Sequence, residues 1–434
     1  MIDKVLGTFF TRLLSTVLMI VVVVINANAF GSEGTGTIAL VVLGLTLLQV
    51  LTNFVGGGTL VYLVPRKNIF QLFMLSFLWA CIANVGGIFL LKELQLVPAE
   101  YTWWLLAMTS VFTIYNIDIA IVQGKENIRL FNILQILQSI LLLTTLSVLL
   151  FVFQSAKIEL YLTAYIFSYL VVTVISFVFV VKQFDEVQFG GVFTLLKEMV
   201  KLGFWTQIAN LTQLLTYRLN YYFVDHFIGR KSLGVYEMGT KISEAVWIFP
   251  KSICLVQYAR ISNQPDMDYT KNLTLGLLKI VAVFALAAVL VLLLLPAQFL
   301  VFVLGADFAN SKSVICSLLP GIFALSCTTI LAHHFSGYGK YWVNAIGSVI
   351  SLLVTAVAGI LLIPKTMEIS SLLALQTAGW ITSAAYGANL IFTLTVFVRF
   401  THATARDFLI TRADFSLFKQ VMETKLKKLK RKEK

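Results

Sequence analysis

Residues 280–295 read IVAVFALAAVLVLLLL, from Ile280 to Leu295 without one polar side chain, and the run is closed by Pro296. With its flanks it extends over residues 274–303. A helix crossing the hydrocarbon core of a bilayer takes about 20 predominantly apolar residues, and this stretch suffices. Eleven further runs resemble it, at about 6–29, 36–63, 69–91, 101–122, 130–153, 158–181, 202–227, 233–257, 313–335, 341–363 and 370–398. The whole composition agrees. Of 434 residues, 59% are hydrophobic and only 12% charged, with a mean hydropathy of +0.88. Soluble domains carry roughly twice that charge. A soluble enzyme is therefore excluded, and the length leaves room for about 12 spans and no large soluble domain. The runs do not alternate with period two, which excludes a barrel.

The first run, with Lys4 before it and Ala27-Asn28-Ala29 after it, imitates a signal peptide and its cleavage site. Arg12 interrupts the run and its apolar part is long, so a retained first helix is expected. The basic residues then set the orientation. With both termini in the cytoplasm, the outer loops hold only Lys92, Lys157, Arg230, Lys231, Lys312 and Lys365. Four more, Arg12, Arg218, Lys241 and Lys251, fall within spans, and the rest of the 33 Lys and Arg lie inside. The densest group, Lys425 to Lys434, reads as an anchor on an anionic leaflet. It lacks the interleaved aromatics of a nucleic-acid-binding segment, and no nucleic-acid partner is expected. Cys81, Cys254, Cys316 and Cys327 all fall within spans and read as small packing residues. No metal-ligand cluster, phosphate loop or Ser/His/Asp arrangement is present, so neither an enzyme nor a bound cofactor is expected.

Two stretches match at an offset of 198 residues. Gly31-Ser32-Glu33-Gly34-Thr35-Gly36 joins the first two spans, and Gly229-Arg230-Lys231-Ser232-Leu233-Gly234 joins the seventh and eighth. A second match pairs Gln123-Gly124 through Asn132 with Ser336-Gly337 through Asn344. Both relate one set of six spans to the other. Six is even, so the halves share one orientation, which is an established transporter plan. The expected organisation is an N-terminal six-helix half (1–190), a C-terminal six-helix half (191–400) and a basic cytoplasmic tail (401–434).

Polar residues inside a membrane are costly, and they are expected to face a partner or a hydrated cavity. The eighth span carries Glu237, Lys241, Glu244 and Lys251 at steps that place them on one face of a single helix. The seventh shows Gln207, Asn210, Leu214, Arg218, Tyr221 and Asp225 at steps of three or four. The first shows Arg12 and Asn26, and the second Gln49 and Asn53. These stripes predict a central cavity lined from both halves. Asp118 in the fourth span is a further candidate for holding a proton or ion, or for pairing with a neighbouring span. The small polar residues of the eleventh span (Ser348, Ser351, Thr355) read as close-packing positions. His333 and His334 read as interfacial. Gly56-Gly57-Gly58, Pro250 and Pro320 are candidate bends.

Phe30-Gly31-Ser32-Glu33-Gly34-Thr35-Gly36, followed by Val64-Pro65-Arg66, resembles the start of Wzx-type O-antigen and polysaccharide flippases. These belong to the multidrug/oligosaccharidyl-lipid/polysaccharide (MOP) exporter superfamily. Arg218-Leu219-Asn220, Leu233-Gly234-Val235-Tyr236 and Lys241-Ile242-Ser243 are similar to that family's seventh-to-eighth hairpin, and Gln123-Gly124-Lys125 to its loop after the fourth span. Where family members often carry an acid two residues after the arginine, this chain has Asn220. The resemblance implies an all-α polytopic protein of the bacterial cytoplasmic (inner) membrane, a V-shaped bundle of two six-helix halves like that of MATE transporters. It implies flipping of a polyprenyl-pyrophosphate-linked oligosaccharide, such as an O-antigen or lipopolysaccharide repeat unit, to the outer leaflet by alternating access. Membrane lipid, a polysaccharide polymerase and glycosyltransferases are the further partners it implies. For such cargo, Arg12, Arg218, Lys241 and Lys251 are the expected pyrophosphate contacts, Arg through paired hydrogen bonds and Lys as a point charge. Tyr221 and Tyr222 would stack on sugar rings. Asp118, Asp225, Glu237 and Glu244 are the expected coupling residues. The competing reading is a cation-coupled multidrug efflux transporter of the same superfamily.

Overall fold

A computed structural model describes residues 2–187, 190–262 and 266–409. The basic tail from Lys425 onward lies outside the described residues, as does the side chain of Arg12. Fourteen α-helices and no strand are present among the described residues. In chain order they are α1 (Ile2–Thr52), α2 (Gly58–Leu63), α3 (Ile69–Glu93), α4 (Thr102–Gly124), α5 (Ile128–Phe153), α6 (Glu159–Val181), α7 (Val192–Phe227), α8 (Arg230–Glu244), α9 (Ile248–Ser262), α10 (Met267–Leu294), α11 (Ala297–Leu304), α12 (Ser311–Gly337), α13 (Tyr341–Met367) and α14 (Ser371–Thr401). Nine of the described helices are long and apolar enough to cross a membrane. Their outer faces carry large apolar side chains such as Ile82, Phe89, Val291 and Leu294, the last 80% exposed. Such a surface is compatible with lipid and not with water. The protein is a multi-pass, all-helical membrane protein.

The expected spans meet the observed helices with four local differences. The first two spans run as α1 in two arms, broken only at Gly31 (φ 64°, ψ −169°). A residue with a side chain rarely takes that conformation. The second span then ends in a single 3-10 turn (Asn53–Val55), where Gly56 is extended and Gly57 has φ 53° before α2 resumes the path. The eighth span is divided into α8 and α9 by a 3-10 turn at Ala245–Trp247. The spacing rule of one α-helix therefore does not carry from Glu237 through to Lys251, and the single charged face expected there is corrected to two shorter segments. The ninth span stops before Pro296, which holds Leu295 extended, and continues as α11.

The chain forms two compact units. The first comprises residues 1–241, 296–314 and 355–379, and the second comprises residues 242–295, 315–354 and 380–434, as far as these are described. In the first unit, the second arm of α1 packs with α4, α5 and α6 around Val41, Leu48, Leu105, Met108, Leu142 and Leu162. A neighbouring core joins α2, α3, α4 and the start of α7 around Leu60, Leu72, Ile121 and Met199. In the second unit, α9, α10, α12 and α14 enclose Cys254, Val281, Ile330, Phe335 and Phe397. Pro320 interrupts α12 there. The Ser383 hydroxyl accepts the Gly321 N–H (3.0 Å) and donates to the Ser317 carbonyl (2.6 Å), so the backbone groups near the proline are bonded from the adjacent helix.

The sequence repeat has a structural counterpart. Gly31 and Gly229 both have positive φ, at 64° and 114°. A Cβ added to Gly36 would lie 2.3 Å from the Arg230 carbonyl oxygen, and one added to Gly234 would lie 1.8 Å from that of Ser32. The two repeated loops thus touch each other through their matching glycines. The second match behaves alike. A Cβ on Gly124 would meet Val64 at 2.6 Å, at the end of the second span. One on Gly337 would meet Ile261 at 2.6 Å, at the end of the eighth.

Candidate functional site

Within the first unit, α7 and α8 bring four of the stripe residues together. Lys241 Nζ lies 2.7 Å from Glu237 Oε1, one helical turn away. Glu237 is 5% exposed, whereas the Lys241 side chain is 40% exposed. From α7, Arg218 donates through Nη1 to the Tyr221 hydroxyl at 3.0 Å, and the same hydroxyl bonds the Glu237 carboxylate. The result is a chain of polar contacts, Arg218–Tyr221–Glu237–Lys241, that carries two positive charges and one negative. Arg218 lies half-buried, with its guanidinium carbon 5.0 Å from the Tyr221 ring centre.

Tyr221 is only 2% exposed, and its ring meets Tyr236 edge to face at 5.7 Å. Its hydroxyl, and not its ring face, is what it gives the site. Tyr222 is half-buried, and its hydroxyl has no hydrogen-bond partner among the described residues. Asn220, where the resemblance would place an acid, donates to the Ala378 carbonyl at 3.1 Å and ties α7 to α14.

The other charged residues of the stripes have contacts of their own. Asp225 is held by Arg230, with Nε–Oδ1 at 2.5 Å and Nη2–Oδ2 at 3.1 Å, and Arg230 reaches on to Thr37 at 3.4 Å. Glu244 closes α8. In the second unit, Lys251 is exposed, with its ammonium 5.3 Å from the Trp247 ring centre. Asp118 is fully buried in the first unit, where it accepts the Ser176 hydroxyl at 2.7 Å. Among the described residues it has no cationic partner, and its second oxygen has no hydrogen-bond partner. His334 is buried among Phe335, Tyr338, Phe397 and Phe400, with Nδ1 2.8 Å from the Thr274 hydroxyl.

Sequence reading missed Asp307. It lies in the loop between α11 and α12, and its Oδ2 accepts the backbone N–H (3.3 Å) and hydroxyl (3.0 Å) of Ser32. Ser32 opens the second arm of α1, so a remote carboxylate caps that helix end and complements its dipole. Lys231 stands 3.7 Å from the other oxygen. The N–H and hydroxyl of Ser32 and the Lys231 charge hold the Asp307 carboxyl below the ordinary carboxylate range. A depressed folded value means that the cap is complete above the unfolded value of about 3.9 and is lost as pH falls through the folded one. Asp307→Asn is therefore expected to speed hydrogen exchange of the Ser32 amide at neutral pH. The gap from the native protein should close under strong acid. Equal exchange at neutral pH would contradict the capping role. The sequence signal was only an acid near a repeated loop, with 275 residues between the partners.

A second polar feature lies in the same unit. The end of the second arm of α1, with the turn that follows it, and the middle of α7 flank an open cavity of about 320 Å³, lined by Gln49 and Asn53 from the former and by Gln207, Asn210, Gln213 and Tyr217 from the latter. Its position follows from Gly203. A Cβ there would lie 2.0 Å from the Phe54 carbonyl oxygen, so α7 crosses directly against the backbone at the end of that arm.

These features define the class of protein: a multi-pass helical bundle with a charged chain of contacts on α7 and α8 and a polar cavity between α1 and α7. No protein-family model matches the chain, and no curated protein matches it by sequence. Solved structures share its fold. The lipid II flippase MurJ, in an inward closed conformation, superposes with a TM-score of 0.71 at 14% identity, over 94% of this chain and 89% of that one. The Vibrio cholerae MATE transporter VcmN gives a TM-score of 0.63 at 12% identity, over 94% and 98%. An inward-facing multidrug resistance MATE transporter of the MOP superfamily gives 0.64 at 12% identity, over 93% and 95%. The fold is the one these MOP-superfamily proteins share. They are transporters and flippases, not enzymes.

Proposed function

We propose that the protein is a flippase for a polyprenyl-pyrophosphate-linked oligosaccharide, a surface-polysaccharide repeat unit, carried from the cytoplasmic to the outer leaflet by alternating access. The observation that carries this reading is the Arg218–Tyr221–Glu237–Lys241 chain, with its excess of positive charge on two adjoining helices. A pyrophosphate is a multiple acceptor and an anion, and such a cluster can replace its hydration inside the membrane. Tyr221 and Glu237 position the two cations. Lys251 and Arg12 remain further phosphate contacts on the sequence reading, and Tyr222 offers an unengaged hydroxyl. The two six-helix halves (1–190 and 191–400), both termini in the cytoplasm and placement in a bacterial inner membrane belong to the same reading. The matched glycine contacts and the basic-residue count support the halves and the orientation.

The test is reconstitution into vesicles with a lipid-linked sugar, followed by detection of its appearance in the opposite leaflet. Arg218→Ala with Lys241→Ala is expected to slow that appearance about tenfold or more, since each charge-assisted hydrogen bond contributes about 1.5–3 kcal/mol. A rate equal to that of the native protein rules out this anion site.

A second reading, cation-coupled multidrug efflux, is favoured by Asp118. A buried carboxyl without a cation suits a group that takes and releases a proton. The coupling role passes to Asp118 first, since Asp225 and Glu237 are already engaged with Arg230 and Lys241.

A further inference from the structure

We infer that the cavity between α1 and α7 is a recognition site for an uncharged sugar, and that it is separate from the anion site. The inference rests on the flippase reading and adds to it which residues read the glycan. Nine residues line the cavity, among them Gln49, Asn53, Gln207, Asn210 and Gln213, and none is charged. Five are carboxamides. Each carboxamide both donates and accepts, as sugar hydroxyl and acetamido groups do, whereas an ionised phosphate oxygen only accepts. Val50 and Leu214 add apolar surface against which the C–H face of a sugar ring can lie. The volume of about 320 Å³ falls at the low end of the range, about 300–1,000 Å³, of pockets that hold small molecules.

The carboxamides do not serve to join the two helices. Asn210 donates to Gln207 at 3.0 Å and Gln213 to Tyr217 at 3.1 Å, both along α7 itself. Gln49 and Asn53 make no side-chain hydrogen bond among the described residues. Asn210 and Gln213 are exposed, and exposed amides facing hydrocarbon would be costly, so the cavity is a hydrated one. Its place on α7 also suits a two-part ligand. Gln207, Asn210 and Leu214 continue the helical face that carries Arg218. At 1.5 Å per residue, Asn210 lies about 12 Å along the axis from Arg218. A pyrophosphate at Arg218 leaves its first sugars beside the carboxamides.

The experiment compares two probes bound to the full chain in lipid nanodiscs: undecaprenyl pyrophosphate, and the same lipid carrying N,N′-diacetylchitobiose. The native protein is expected to hold the glycosylated lipid about tenfold more tightly. Gln207→Leu with Asn210→Leu should remove that preference and leave the affinity for the sugar-free lipid unchanged, which also reports that the variant is folded. If this pair of substitutions abolishes binding of both lipids, Gln49→Leu on the opposite wall decides, and it should reduce the preference alone. Equal affinity of the native protein for the two lipids, or a preference that survives all three substitutions, overturns the inference. A native protein that binds neither lipid overturns the flippase reading itself, a distinct result.

Discussion

Gly234→Ala is expected to destabilise the protein by about 2 kcal/mol or more, although alanine is the better helix former. Two effects oppose each other. Gly234 lies inside α8, where alanine gains up to about 1 kcal/mol in helix propensity. The added methyl group would lie 1.8 Å from the Ser32 carbonyl oxygen and 2.7 Å from its carbon. Real contacts of this kind stay beyond 3.0 Å, so one backbone must move by more than an ångström. Overpacking against a side chain costs about 1–3 kcal/mol, and backbone relaxes less readily than a side chain. Repulsion therefore wins. Denaturation in mixed micelles measures the difference, with Gly276→Ala in α10 as the control. Nothing lies within 4 Å of a Cβ at Gly276, and that variant should be as stable as the native protein or slightly more so. Gly36→Ala is expected to resemble Gly234→Ala, and the double variant to cost less than the sum, because both glycines serve one contact. A Gly234→Ala protein as stable as the Gly276→Ala control would refute the loop-to-loop contact.

The second large effect concerns Lys241. Lys241→Met removes a charge 2.7 Å from a carboxylate that is 6% exposed, and it leaves Glu237 facing Tyr221 and Arg218 alone. Losing one partner of a fully buried pair costs about 3–5 kcal/mol. Lys241 is 40% exposed and Arg218 remains, so about 2–3 kcal/mol is the expected loss here. Glu237→Gln retains the hydrogen-bond acceptor and removes the buried charge, and it should cost less. Glu237→Leu with Lys241→Met should return stability to within about 1 kcal/mol of the native value, because a hydrophobic pair of similar volume replaces a buried ion pair at little cost. Transport should stay low in that double variant. Transport restored together with stability would show that the pair is structural only, and it would remove Lys241 from the anion site.

The stripes of the seventh span were legible because a helix repeats every 3.6 residues. Asn210, Arg218 and Tyr221 do share the face that periodicity gave them. In the eighth span the same spacing pairs Glu237 with Lys241 on α8, but it does not extend to Lys251 across the 3-10 turn, because periodicity holds only while the helix does. Nothing in residues 233–257 announces the 3-10 turn at Ala245–Trp247 in the way that Pro296 announces the end of α10. Roles inside the cluster were less legible than positions. Tyr221 has the chemistry to stack on a sugar, yet its ring packs against Tyr236, which lies 15 residues further along the chain in another helix.

By itself, then, the sequence determined the solvent, the number of apolar runs, the repeat and the residues worth watching, because these depend on composition and on spacing along one helix. Tertiary structure decided which of them meet. Asp307 reaches Ser32, Arg230 takes Asp225 and Thr37, Gly36 meets Gly234, and Gln49 faces Gln207 across a cavity. Each of these pairings except Arg230 with Asp225 joins residues more than 150 positions apart, and local patterning carries no information over such a distance. Which charges hold helix ends, as Asp307 does, and which join the Arg218–Tyr221–Glu237–Lys241 chain is settled only when the helices pack.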